Sequence, residues 1–127
     1  MKKILLSLIG FCLITSAFAY EEPLRKTKCF YVINNKPQSI QACHIGAAGG
    51  AGGIERSFSI NQNEFVLEWF NAGLPSEVYR ITKNNGKAIN ATNYYRSSKT
   101  LGVVGNPKVT DWECIKDDKN VSHFCYK

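Results

Sequence analysis

Cys43 adjoins His44, and His123 stands two residues before Cys125, so the first chemistry these residue types suggest is a metal held by thiolate and imidazole. Their spacing fits no zinc pattern, and an oxidising compartment would consume the thiols. Catalysis otherwise needs a nucleophile beside a base, or two carboxylates at a set distance. Glu64 and Glu68 share a face with Val66 and Phe70 in a period-two run, which is ordinary solvated-face chemistry. A glycosidase pair would need its carboxyl groups about 5–9.5 Å apart in a cleft. Asp117-Asp118 reads as the start of a turn, and no G-x-S-x-G elbow occurs. The sequence predicts no catalytic residue, no metal and no cofactor.

The run HIGAAGGAGGIERSF, residues 44–58, is the other feature that could carry chemistry. A phosphate-cradling loop would read GxxxxGK[ST] between a strand and a helix, but Ile54-Glu55-Arg56 follows the last glycine. The run is therefore expected to be a long connection between two hairpins. Its sharper reading is an exposed loop that meets a partner through Gly49, Gly50, Gly52 and Gly53, with His44 and Arg56 as polar contacts at its ends. Aromatic pairs add two candidates. In Trp69-Phe70 and Tyr94-Tyr95 one ring of each pair faces outward if the other is core, which nominates Phe70 and Tyr95 for the same partner surface.

These residues need a scaffold, and the cysteines outline it. Residues 1–19, MKKILLSLIGFCLITSAFA, read as a cleaved signal peptide: a Lys2-Lys3 start, an apolar stretch and an Ala17-Phe18-Ala19 end. Cleavage removes Cys12 and leaves 108 residues, 20–127, as a single β domain with Cys29, Cys43, Cys114 and Cys125. An even cysteine count in a small exported chain points to disulfides. In residues 29–43 a hairpin turning at Lys36 sets Cys29 opposite Cys43 and Val32 opposite Ile40. In residues 114–125 a turn at Lys119-Asn120 sets Cys114 opposite Cys125 and Ile115 opposite Phe124. The expected bridges are Cys29–Cys43 and Cys114–Cys125.

The rest reads as more strands. Residues 54–60 and 64–70 alternate apolar and polar residues around Asn61-Gln62-Asn63. Val78 to Lys83 runs into Asn84-Asn85-Gly86-Lys87, where Asn-Gly marks a type I′ turn, and a strand returns from Ala88. Residues 97–108 form a loop with a short strand inside, before a last hairpin over residues 109–126. No helical stripe appears. The fold class expected is all-β: a small antiparallel meander of about eight strands, closing into a barrel or sandwich with disulfide-stapled hairpins. In layout it resembles the small periplasmic lysozyme-inhibitor barrels, although their Ser-Gly-x-x-Tyr type motif is absent.

Losing Lys2 and Lys3 leaves 14 basic against 10 acidic residues, a net charge of +4, and the basic residues are scattered rather than clustered on one face as in a nucleic-acid binder, except for Arg25-Lys26-Thr27-Lys28, which reads as a solvated leader. No membrane span is expected after cleavage. The reading is an exported, non-catalytic binding protein of the bacterial envelope, periplasmic or secreted, whose partner is a protein or an envelope polymer. It extends to an inhibitor of a partner enzyme or a protector against one. The alternatives are a small cell-wall or carbohydrate hydrolase and a structural or adhesive surface module.

Overall fold

A computed structural model describes residues 20–50 and 53–127. The predicted leader, with Cys12, and Gly52 lie outside the described residues. Ten strands form: β1 (Tyr20–Ile33), β2 (Lys36–Pro37), β3 (Gln41–Gly50), β4 (Gly53–Ile60), β5 (Asn63–Phe70), β6 (Val78–Lys83), β7 (Ile89–Arg96), β8 (Val103–Val104), β9 (Trp112–Asp117) and β10 (His123–Tyr126). Eight of them close into an antiparallel barrel in the order β10-β9-β7-β6-β5-β4-β3-β1, with β1 pairing back onto β10. The short β2 and β8 attach outside the ring, to β1 and β7. Of the two architectures expected, the chain adopts the barrel.

Asparagine makes the corners. Among the described residues, seven of the eight non-glycine residues at positive φ are Asn, whose short polar side chain tolerates the left-handed region. Asn34 (φ 51°) and Asn35 (φ 62°) turn β1 into β2, and Asn84 (φ 49°) with Asn85 (φ 58°) turn β6 into β7. The second turn closes from Gly86 N to Lys83 O at 2.9 Å, so Asn84-Asn85, rather than Asn85-Gly86, fills its centre.

The period-two pattern sorts side chains to two sides of the wall. Inside lie Phe58, Phe65, Phe124, Ile60, Ile81, Ile115, Leu67 and the Cys29–Cys43 bridge, so the lumen is filled. Phe124 stacks at an angle against Phe58 and Phe65, with ring centroids 4.9 and 4.7 Å away. A second, smaller core lies outside the wall. There Phe30, Val32, Trp112 and the Cys114–Cys125 bridge are covered by Tyr94 and Leu101. Elsewhere the outer wall carries Glu55, Glu64, Glu68 and Arg80. An apolar interior behind a charged wall is the reverse of a lipid-facing barrel. Among the described residues no helix is long and apolar enough to cross a membrane.

Both expected disulfides form, one by the expected register and one not. Cys114 faces Cys125, with Ile115 facing Phe124. In the first hairpin the turn falls at Asn34-Asn35 instead of Lys36, so Val32 faces Pro37 rather than Ile40. Residues 38–40 then leave the ladder, and β3 rejoins with Cys29 opposite Gln41 and Cys43 opposite Thr27. The bridge thus joins diagonal neighbours, 5.8 Å apart at Cα, a span that a disulfide reaches.

The glycine run is also placed differently from the expected connection. Its first half ends β3 and its second begins β4, with Gly49 paired to Ile54 and Gly50 to Gly53. Gly53 has a steric reason: a Cβ there would sit 2.9 Å from the Trp69 carbonyl oxygen. Alternation without large side chains left the pattern without the apolar signal by which strands are read.

Candidate functional site

Because the strands alternate in direction, the barrel has two distinct ends. One end gathers the β3–β4 hairpin, the β5–β6 loop, the segment from β7 to β9 and the C-terminus. The other gathers the Asn34-Asn35 and Asn84-Asn85 turns and the β9–β10 loop.

At the first end the inward alternation of β4 continues past Ile60 and Phe58 to Arg56, so a guanidinium points into the mouth. From the opposite wall β9 presents Glu113, on the same face as inward Ile115. Arg56 Nη1 donates to Glu113 Oε2 at 2.7 Å and to the Tyr126 hydroxyl at 2.6 Å. Tyr126 in turn donates to Glu113, and the Arg56 guanidinium lies 5.8 Å from the centre of its ring. Tyr95 lines the same mouth from β7. Burial, reinforced by the Glu113 charge and opposed by Arg56, raises its phenol above the ordinary value.

Beside this cluster Trp69 and Tyr79 stack, with planes 12° apart and centroids at 5.5 Å. Glu77 accepts from Tyr79 OH at 2.8 Å, from Trp69 Nε1 at 2.7 Å and from Gly73 N at 3.3 Å. The Tyr79 hydroxyl does most to hold the Glu77 carboxyl below its usual range, followed by Trp69. Tyr79 itself is raised strongly, first by burial and then by its bond to Glu77.

Over the mouth lies the connection between β8 and β9. Asp111 pins it by accepting from Lys108 N at 2.8 Å and Ser98 N at 2.9 Å, and those amides lower its carboxyl. Between this connection, Arg56, Tyr95, Glu113 and Tyr126 runs an open groove of about 590 Å³. Val109, at 105% exposure, projects from this connection, and Val103, at 66%, from β8 before it. The groove therefore offers fixed charges, two phenols and an apolar tip to a partner.

Of the residues singled out in the sequence, Arg56 and Tyr95 meet here. Tyr95 faces inward, and its neighbour Tyr94 faces out, the reverse of the orientation that nominated Tyr95. The described glycines Gly49, Gly50 and Gly53 rise from the same end of the barrel. Phe70 stays on the outer wall, half-buried, with the Arg80 guanidinium 5.8 Å from its ring centre. His44 is exposed on the outer wall, opposite Ser59. Sequence reading missed Glu113, Tyr126 and the Trp69–Glu77–Tyr79 set. A charge in place of an apolar residue on an inward face, as at Arg56 and Glu113, was the available signal.

His123, singled out in the sequence only for its spacing to Cys125, is half-buried and bonded. The Tyr94 hydroxyl is hydrogen-bonded to His123 Nε2 and also accepts from Arg96 Nε at 3.0 Å. Arg96, 5% exposed, also donates to the Leu101 carbonyl at 2.9 Å, which helps hold Leu101 at φ 61°. Burial, then Lys116 and Arg96, push the imidazole down to about 4, so it is neutral at pH 7.

The chain is thus a closed eight-stranded antiparallel barrel with a polar, aromatic mouth. Comparison with family models, with curated proteins and with solved structures returns no match.

Proposed function

We propose that the chain is an exported, non-catalytic binding protein of the bacterial envelope that engages a protein or envelope polymer with the Arg56–Glu113 end of its barrel. The observation that carries this reading is the groove at that end, roofed by a segment whose Val109 stands fully exposed above Arg56, Tyr95 and Glu113. The apolar side chains that fill the middle of the lumen leave binding to the ends and outer surface of the barrel, and large binding partners take rigid, pre-formed surfaces of mixed charge and aromatic character. Residues 1–19 and the two disulfides support export to the periplasm or beyond.

Binding is favoured over hydrolysis because the carboxylates at this end are engaged by the protein itself, Glu77 by Tyr79, Trp69 and Gly73, Glu113 by Arg56 and Tyr126, and Asp111 by two backbone amides, whereas a hydrolytic pair needs carboxyls free to meet the substrate. It is favoured over an assembly module because the edge that closure leaves open, residues 20–28 of β1 on the side away from β3, carries Glu21, Glu22, Pro23, Arg25, Lys26 and Lys28, and charges and proline blunt an edge against extension by another chain. An inhibitory or protective role follows if the partner is an enzyme whose cleft admits the residue 107–111 tip.

Site-directed photo-crosslinking in an envelope fraction tests the proposal. A crosslinker at Val109 is expected to give a discrete adduct, reduced at least fivefold when Arg56→Ala and Tyr95→Ala are added. The same probe at Asn85, at the other end, is expected to give none. Equal labelling from both ends would sink the assignment.

A further inference from the structure

The barrel's other end holds a separate cavity of about 520 Å³ between the ends of β1, β6, β9 and β10. Lys83 and Lys116 line it, together with His123 and the amide side chains of Asn34, Asn35 and Asn120, and no carboxylate does. Both lysines are half-buried. Among the described residues the ion pair found is Arg56–Glu113, at the far end, so neither ammonium has a carboxylate within 4.0 Å. Asp117, next to Lys116 in sequence, spends its carboxylate elsewhere. Its oxygens accept from the amides of Lys119, Val121 and Ser122 at 2.9, 2.9 and 2.6 Å.

Lys83 follows the inward face of Ile81 and Lys116 the outward face of Cys114, so the two reach the cavity from either side of the rim, and with no carboxylate in its lining they give it a positive field that an anion neutralises. The three rim asparagines make no side-chain hydrogen bond to the protein among the described residues, which leaves their amide donors available. We propose that this cavity is an anion site built for a phosphate monoester, with Lys83 and Lys116 as its counter-charges and Asn34, Asn35 and Asn120 as donors. A monoester carries about −1.5 to −2 charges at pH 7 and presents three acceptor oxygens, which matches two ammonium groups and a ring of amides better than a single carboxylate does. Exposed Ile33 and Val121 flank the opening and give an organic substituent an apolar place to rest. The same phosphate chemistry can arrive on a soluble ester or on a lipid headgroup.

His123 reports occupancy. Tyr94 and Arg96 face it from β7, and Lys116 and Asp117 act on it from β9. Burial does most to depress the imidazole and Lys116 comes next; a bound phosphate, a monoanion in the acid range where His123 titrates, offsets the Lys116 charge, so the titration midpoint rises.

The test is an NMR titration of the mature chain with inorganic phosphate, glycerol 3-phosphate and phosphatidic acid vesicles in a phosphatidylcholine background. Saturable shifts centred on Lys83, Lys116, Asn120 and His123 are expected, together with an upward move of the His123 midpoint. Lys83→Gln with Lys116→Gln should weaken phosphate binding at least tenfold. Sodium chloride at matched ionic strength should not reproduce the shifts. Tighter binding to vesicles than to glycerol 3-phosphate assigns the lipid source, and the converse assigns the soluble one. Shifts that chloride reproduces, that survive in the double variant, or that leave the wild-type His123 midpoint unmoved overturn the proposal.

Discussion

Arg56 Nη1 and Glu113 Oε2 meet at 2.7 Å across the mouth of the barrel, from strands that lie four places apart whichever way the ring is followed. The pair is a diametric tie. It joins walls that share no ladder hydrogen bonds and sets the width of the opening on which the partner groove depends.

Removing that tie should cost modestly. Both side chains remain about a third exposed, at 34% and 27%, so solvent weakens the attraction. Arg56→Ala is expected to lower stability by about 1 kcal/mol in urea unfolding with an unchanged slope. Glu113→Gln should cost a similar amount, and the double variant should cost less than the sum, because each residue's loss is mostly the other's. Full additivity would show that the pair is not coupled.

The two disulfides should contribute nearly equally. They close loops separated by 14 and 11 residues, and chain entropy assigns each about 3 kcal/mol. Replacing either pair with alanines is expected to lower the thermal midpoint by a comparable step. A much larger effect from Cys29–Cys43 would mean that interior packing, rather than the covalent link, dominates at that site.

Asp117 organises the β9–β10 loop from a fully buried position, at 1% exposure. Asp117→Ala strands three amides that now share its oxygens, and should cost about 2–4 kcal/mol. Hydrogen exchange at Lys119, Val121 and Ser122 should accelerate with it. Asp117→Asn, which keeps one carbonyl oxygen, should lose less.

Acid should destabilise the fold in two windows. His123 has a folded value near 4 against an ordinary 6.5, so its contribution is complete above about 6.5 and is lost as pH falls from there towards 4. After discounting for partial exposure this is on the order of 1 kcal/mol. Glu77, lowered in the folded state, contributes above its ordinary 4.5 and is lost below that as pH falls through its folded value. Unfolding measured from pH 7.5 to 3 should show a decline that starts above pH 5 in the wild type. In His123→Gln that early decline should vanish and only the later one remain.

Much of this architecture was open to reading from local order. The alternation of Ile54, Phe58 and Ile60, and then of Phe65, Leu67 and Trp69, sets which face of each strand is buried, because successive side chains point to opposite sides. The span from Cys114 to Cys125 sets its own register, since a symmetric hairpin has one centre. The 29–43 span misled, because a break in the ladder at residues 38–40 shifts one arm. The glycine run misled for a different reason: backbone pairing with β1 and β5, not side-chain pattern, makes it strand.

Residue order by itself determined an all-β chain of hairpins, the pairing of its cysteines and the aromatic character of its inner faces, all of which rest on contacts within some fifteen positions. Only the tertiary structure decided that β1 returns to β10 and closes a ring, which places Arg56 against Glu113 and gathers Lys83 with Lys116. Those partners are 57 and 33 positions apart, and no local propensity encodes such meetings; they follow from the number of strands and the stagger with which the sheet curls shut.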